Sequence, residues 1–263
     1  MRELFEFTAA RLPLLVSVPH AGTLLPDGLE SRLSAVVRDL PDTDWFVNRL
    51  YGWVTEIGAG LIVGNHSRYL IDLNRPPDDA ALYKSTTPGL IPLRTFSGIP
   101  LYVGETPDAD EVQQRLFDYW QPYHRKIREE LDRMKSRYGF AILFDAHSIR
   151  SQVPQLFEGT LADFNLGSYD GQSAASSLVS AATGVLRKQK QYSHIVDGRF
   201  KGGYITRHYG RPDKNVHALQ LEMSQSVYMR EDPPLYDLDA AGRTQEILKE
   251  LLMQIINWRP AGG

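Results

Sequence analysis

Residues 140–148 read Phe-Ala-Ile-Leu-Phe-Asp-Ala-His-Ser. Five apolar residues without polar alternation form the pattern of a strand buried on both faces, as at the centre of a parallel sheet. Just upstream, Asp108 to Tyr138 is a long amphipathic run with Leu116, Tyr119, Tyr123, Ile127 and Leu131 on one helical face. Gly139 stops it. The spacing therefore predicts a helix over 108–138 feeding a central strand over 140–144. Asp145 and His147 follow the strand two residues apart, so on extended chain both point to one face.

The same grammar extends outward in both directions. Leu14 to Val18 (LLVSV) reads as a buried strand running into the tight loop Pro19-His20-Ala21-Gly22. Asp44 to Ile57 has apolar residues at helical spacing, with Asp42 or Thr43 as N-cap and Gly58 and Gly60 as the stop. Leu61–Val63 and Tyr69–Leu73 read as two further strands. Asn74 to Glu105 is rich in proline and poor in periodicity, which predicts long loops carrying function. Ser173–Lys188 reads as a helix, Leu219–Met223 as a short strand and Ala240–Ile256 as a closing helix. Alternating strands and helices predict an α/β chain. The expected architecture is one three-layer domain over residues 1–263, its mixed, mostly parallel sheet covered by helices on both faces.

Composition narrows the chemistry. A formal charge of −3 over 263 residues offers no electrostatic reason to bind nucleic acid or an anionic membrane. The absence of cysteine excludes disulfides and thiolate ligands, so any metal must be held by His, Asp or Glu. The apolar run LPLLVSV is short, contains Pro13 and follows Glu3 and Glu6. It reads as a strand rather than a signal peptide or membrane span, and the expected location is cytoplasmic. No feature of the sequence assigns an oligomeric state.

Ligands of open α/β sheets bind beyond the carboxyl ends of the strands. Four apolar runs end in polar residues: VSVPHAG, IDLNRP, ILFDAHS and LQLEMS. They bring His20, Asn74 with Arg75, Asp145 with His147, and Glu222 to that edge. His20 and His147 form a natural metal pair, and a catalytic zinc takes three protein ligands. The segment DTDW supplies an oxygen ligand from Asp44, with Asp42 as the alternative or as a helix cap. Glu222 is the candidate general base, against a plain ion pair at the strand end. Asp145 either orients a ligand or accepts a structural hydrogen bond. Arg75, Arg207 in the glycine-rich loop GGYITRHYG, and Arg150 are candidate carboxylate binders. There is no Walker-type phosphate loop and no GxSxG elbow.

These segments, with DTDWFVNRLY, YLIDLNRPP, TFSGIPLY, FDAHSIRS, GGYITRHYG and ALQLEMSQ, make the sequence resemble the N-formylglutamate amidohydrolase family of histidine degradation. The resemblance spans nearly the whole chain. That family is in turn similar to the zinc carboxypeptidases and to deacylases such as aspartoacylase, which implies a carboxypeptidase-like fold. The resemblance implies Zn2+, or another divalent metal, and hydrolysis of N-formyl-L-glutamate to formate and L-glutamate. The alternatives are another N-acyl acidic amino acid, a peptide amide, or a non-catalytic module that binds an acidic ligand. His20 takes the role of the first ligand histidine and His147 that of the later one. Glu222 becomes the base, and Asn74 with Arg75 the carboxylate clamp. The family pattern to which these relatives belong pairs a first His with a Glu three residues on, whereas Thr23 stands there in this chain. Asp44 is therefore expected to complete the ligand set.

Overall fold

The computed structural model describes residues 3–82 and 88–260. Residues 83–87, part of the proline-rich stretch expected to be loop, lie outside the described residues. In chain order the elements are β1 (Phe5–Thr8), β2 (Leu14–Val18), α1 (Leu29–Arg32), α2 (Val47–Tyr51), β3 (Gly60–Gly64), α3 (Ala109–Arg115) and α4 (Gln121–Tyr138). Then come β4 (Ala141–Ile149), β5 (Phe164–Gly167), α5 (Ser176–Lys188), β6 (His194–Val196), α6 (Tyr204–Tyr209), β7 (Val216–Ser224), the hairpin β8 (Met229–Glu231) and β9 (Pro234–Tyr236), and α7 (Leu238–Asn257).

The main sheet has seven strands in the order β1-β3-β2-β4-β7-β5-β6. Its pairs are parallel except β1 with β3 and β5 with β7. The run FAILF belongs to its centre, where β4 is buried along its whole length. Alternate residues of β4 feed two cores. Ile142, Phe144 and Ala146 pack with α2, α5 and α7 on one face. Ala141 and Leu143 pack with α4 on the other, where Tyr123, Ile127 and Leu131 present the predicted apolar stripe. The α/β layering is therefore as the patterning expects, with helices on both faces.

Several boundaries differ from the expectation. The long helix is α3 and α4 joined through a π turn at Leu116–Trp120, with Asp108 capping its start through the Glu111 amide and Gly139 its end at φ 80°. The expected helix over 44–57 begins only at Val47, because Phe46 takes the left-handed region at φ 62°. Asp42 and Thr43 consequently cap nothing. Tyr69–Leu73 is buried irregular chain rather than a strand, entered through a turn that Leu70 closes by donating to the Ser67 carbonyl. The segment read as the glycine-rich loop GGYITRHYG contains α6. Among the described residues, no helix is long and apolar enough to cross a membrane.

Candidate active site

The α4-facing side of the sheet changes character along its length. It is apolar at the amino end of the parallel strands, through Leu15, Ala141, Leu143 and Ala218. Farther along, the same alternation brings Ser17, Asp145, His147, Gln220 and Glu222 to that face. β4 and β7 run in parallel register with Asp145 opposite Gln220 and His147 opposite Glu222. Both His147 and Glu222 lie inside their strands, not beyond the ends as the sequence suggested. The strands simply continue after the apolar runs stop, because hydrogen-bonded pairing tolerates polar residues that find partners.

Three of these expected residues meet. His147 Nδ1 lies 2.9 Å from Asp44 Oδ2, and His20 Nδ1 lies 3.8 Å from the same oxygen. One ligand atom from each of the three falls within 4.8 Å of the others, so the group could hold a metal ion. All three side chains are buried. His20 Nε2 is 2.8 Å from Asp72 Oδ1, which orients the ring so that Nδ1 turns toward the group. That Nδ1 has no hydrogen-bond partner, so its lone pair fits the role of a metal ligand. His147 Nε2 lies 2.8 Å from Asn74 Nδ2 and 3.0 Å from Asp145 Oδ2. Ser148 N also donates to Asp44 Oδ2, at 3.2 Å.

The electrostatics agree with a site that seeks positive charge. Burial and the Arg68 cation lower the His20 pKa against the pull of Asp72 and Asp44. Burial would lower His147 too, but Asp145 and Asp44 outweigh it and raise that ring well above the ordinary imidazole value. Burial would raise Asp44 and Asp72; neighbouring histidines and Arg68 win, and both stay ionised below the usual range. His147 Nδ1 and Asp44 Oδ2 stand 2.9 Å apart, a pair that a proton or a divalent ion could join. Glu222 differs. Burial pushes its carboxyl up to about 8, opposed by His147 and Arg68 and reinforced by Asp44 and Asp145. The group opens into a cavity whose wall includes Glu222, Arg68, Arg75 and Arg199.

A sequence model of the N-formylglutamate amidohydrolase family matches residues 12–229. The chain belongs to the N-formylglutamate amidohydrolase family. The N-formylglutamate deformylases of Pseudomonas putida and Pseudomonas aeruginosa are each 47% identical to it over 260 residues. The match covers 98% of this chain and 97% and 98% of theirs. Among solved structures, an N-formylglutamate amidohydrolase from Ralstonia eutropha JMP134 superposes with a TM-score of 0.81 at 27% identity. That superposition covers 95% of this chain and 96% of the other. A gene product of Agrobacterium tumefaciens matches at 0.73 and 18% identity over 96% of each chain, which speaks to the fold alone.

The remaining expected residues of this N-formylglutamate amidohydrolase family member divide into those at the cavity and those elsewhere. Asn74 lines it, but its amide is engaged inside: Nδ2 donates to Asp145 Oδ2 and lies against His147 Nε2, and Oδ1 accepts from Ile205 N at 2.7 Å. Arg75 lines it too, steadied by the carbonyls of Pro88 at 2.7 Å and Asn74 at 3.0 Å. Asp145 sits beneath the floor, accepting from Ser17 Oγ at 3.1 Å. Arg207 and Arg150 are not among the cavity-lining residues. Arg207 donates to the Gly202 and Leu82 carbonyls and lies over Tyr169. Arg150 reaches the Glu231 carbonyl and borders an adjoining cavity with Asp42. Asp42 is outside the metal-holding group; its Oδ2 accepts from the Phe96 amide at 2.9 Å.

Sequence reading passed over Asp72, Arg68, Gln220 and Arg199. Asp72 and Arg68 are four apart and ion-paired at 2.8 Å. Arg68 also reaches Asp44 at 3.4 Å and lies 4.8 Å above the Phe96 ring. The available signal was an Arg and an Asp inside an otherwise apolar stretch, SRYLIDL. Gln220 precedes Glu222 by two and donates to its Oε2 at 3.1 Å. No motif distinguishes Arg199.

Proposed function

We propose that this protein is a metal-dependent N-formylglutamate deformylase. It hydrolyses N-formyl-L-glutamate to formate and L-glutamate, with residues 1–263 acting as one catalytic domain. Full-length identity to deformylases supports the reaction. The observation that carries the reading is the buried His20–Asp44–His147 group in a cavity that also holds Glu222 and three arginines. A cytoplasmic location belongs to the same reading.

Zn2+, or another divalent ion, would be held by His20, Asp44 and His147. When bound it supplies a Lewis acid for the formyl carbonyl and lowers the pKa of a water to about 7. Glu222 accepts the water proton and returns it to the leaving amine. A carboxyl whose proton affinity is raised toward neutrality by burial suits both transfers. Gln220 holds that carboxyl from one side. Asp72 fixes the ring of His20, and Asn74 with Asp145 fixes that of His147. Arg75 binds a substrate carboxylate through its planar fork.

The test is formate release from N-formyl-L-glutamate. Turnover should vanish with a strong chelator and return on adding zinc. A pure, folded protein that releases no formate at any metal loading overturns the reading.

A further inference from the structure

We infer that Arg199 is a specificity-determining residue that binds one carboxylate of a dicarboxylate substrate while Arg75 binds the other; this rests on the deformylase reading. A substrate with two carboxylates requires two cationic partners, and guanidinium forks match carboxylates in geometry and charge. The cavity offers three arginines. Arg68 is already engaged, with Asp72 at 2.8 Å and Asp44 at 3.4 Å, and is 8% exposed. Arg75 is oriented by two neutral carbonyls, which steady it without cancelling its charge. Arg150 and Arg207 are not on the cavity wall. Arg199 is.

Topology brings the segments that carry these two arginines in from opposite sides of one strand pair. The β4–β7 pair forms the floor. Arg75 arrives from the segment after β3, on one side of that pair, and Arg199 from the segment after β6, on the other. The Arg199 segment is tied down close by. Tyr169 N donates to the Lys201 carbonyl at 2.6 Å, and Gly203 N donates to Gln220 Oε1 at 2.7 Å. A Cβ on Gly203 would stand 2.4 Å from Asn74, so the two segments meet in direct contact. Arg199 thus projects from a pre-organised backbone, which limits the ordering cost of binding.

The experiment compares metal-loaded wild type with Arg199→Gln and Arg199→Lys on three substrates. These are N-formyl-L-glutamate, N-formyl-L-glutamine and the α-amide of N-formyl-L-glutamate. For N-formyl-L-glutamate, kcat/KM should fall about 10- to 100-fold in both variants, the change residing mainly in KM, as for one charged hydrogen-bonded contact. On one of the amides, whose missing carboxylate is the one Arg199 binds, the same variants should lose less than about 3-fold. Equal loss on all three substrates means a structural role and overturns the inference, as does failure of both variants to fold. Wild type that is inactive on N-formyl-L-glutamate overturns instead the deformylase reading beneath it.

Discussion

Asp72→Asn is the perturbation whose cost follows most directly from the structure. The Asp72 carboxylate is completely buried and accepts from three donors, each at 2.8 Å: His20 Nε2 and Asn74 N on Oδ1, and Arg68 Nη2 on Oδ2. Asparagine has nearly the same shape but one oxygen. If that oxygen keeps His20 and Asn74, the new NH2 faces the Arg68 guanidinium, donor against donor. If the amide flips, the NH2 faces two donors instead. Either way Arg68 loses its closest counter-charge inside the protein. Breaking a buried ion pair by removing one partner costs about 3–5 kcal/mol. Arg68 keeps Asp44 at 3.4 Å, which favours the lower half of that range, about 3 kcal/mol. Urea unfolding of the metal-free protein measures this, with the slope unchanged and the midpoint lowered. The same variant should bind zinc about 10- to 100-fold more weakly by chelator competition, because His20 loses the carboxylate that fixes its ring. A stability loss under about 1 kcal/mol with unchanged zinc affinity would refute the reasoning.

Glu222→Gln should retain zinc yet lose about 10²- to 10⁴-fold in kcat, measured by formate release; wild-type turnover removes Glu222 from the proton path. Asp44→Asn should weaken zinc binding far more than Asp42→Asn in a chelator titration, and the reverse order would move the oxygen ligand. His124 predicts a pH dependence of stability. It is buried between the Tyr209 hydroxyl and the Leu73 carbonyl, and burial lowers its pKa from 6.5 to about 3. The unfolded chain therefore binds a proton between pH 6.5 and 3 that the folded chain refuses, so stability falls as pH falls through that window. From pH 7 to pH 5 this single group should cost about 2 kcal/mol. His124→Phe should lose that much less over the same interval, and identical pH slopes for the two proteins would exclude His124 as the source.

The chemistry-bearing residues of the sheet were legible because strand patterning reports which residues share a face. FAILF marked the central strand, and the polar residues following the apolar runs led to His20, His147 and Glu222. What patterning did not report was how far each strand continues. β4 and β7 run through Asp145–His147 and Gln220–Glu222 because their backbone pairing persists where the side chains turn polar. Nor did it report loop paths. Leu40 at φ 50° and Phe46 at φ 62° bend the chain on either side of Asp44. Neither is a residue whose type announces the left-handed region, so the segment read as the start of a helix.

The sequence by itself determined the layered α/β architecture, the two histidines and the glutamate of the candidate site, and the restriction to nitrogen and oxygen ligands. Those follow from residue type and local period, which a chain carries without its neighbours. The sequence favoured Asp44 over Asp42, and the structure brings Asp44 to the histidines; the tertiary structure alone decided that Asp72 and Arg68 support them, and that Arg199 replaces Arg207 and Arg150 on the cavity wall. His147 and Asp44 are 103 residues apart and His20 and Asp72 are 52 apart. Convergence over such separations depends on where loops cross the sheet, and no local pattern encodes that.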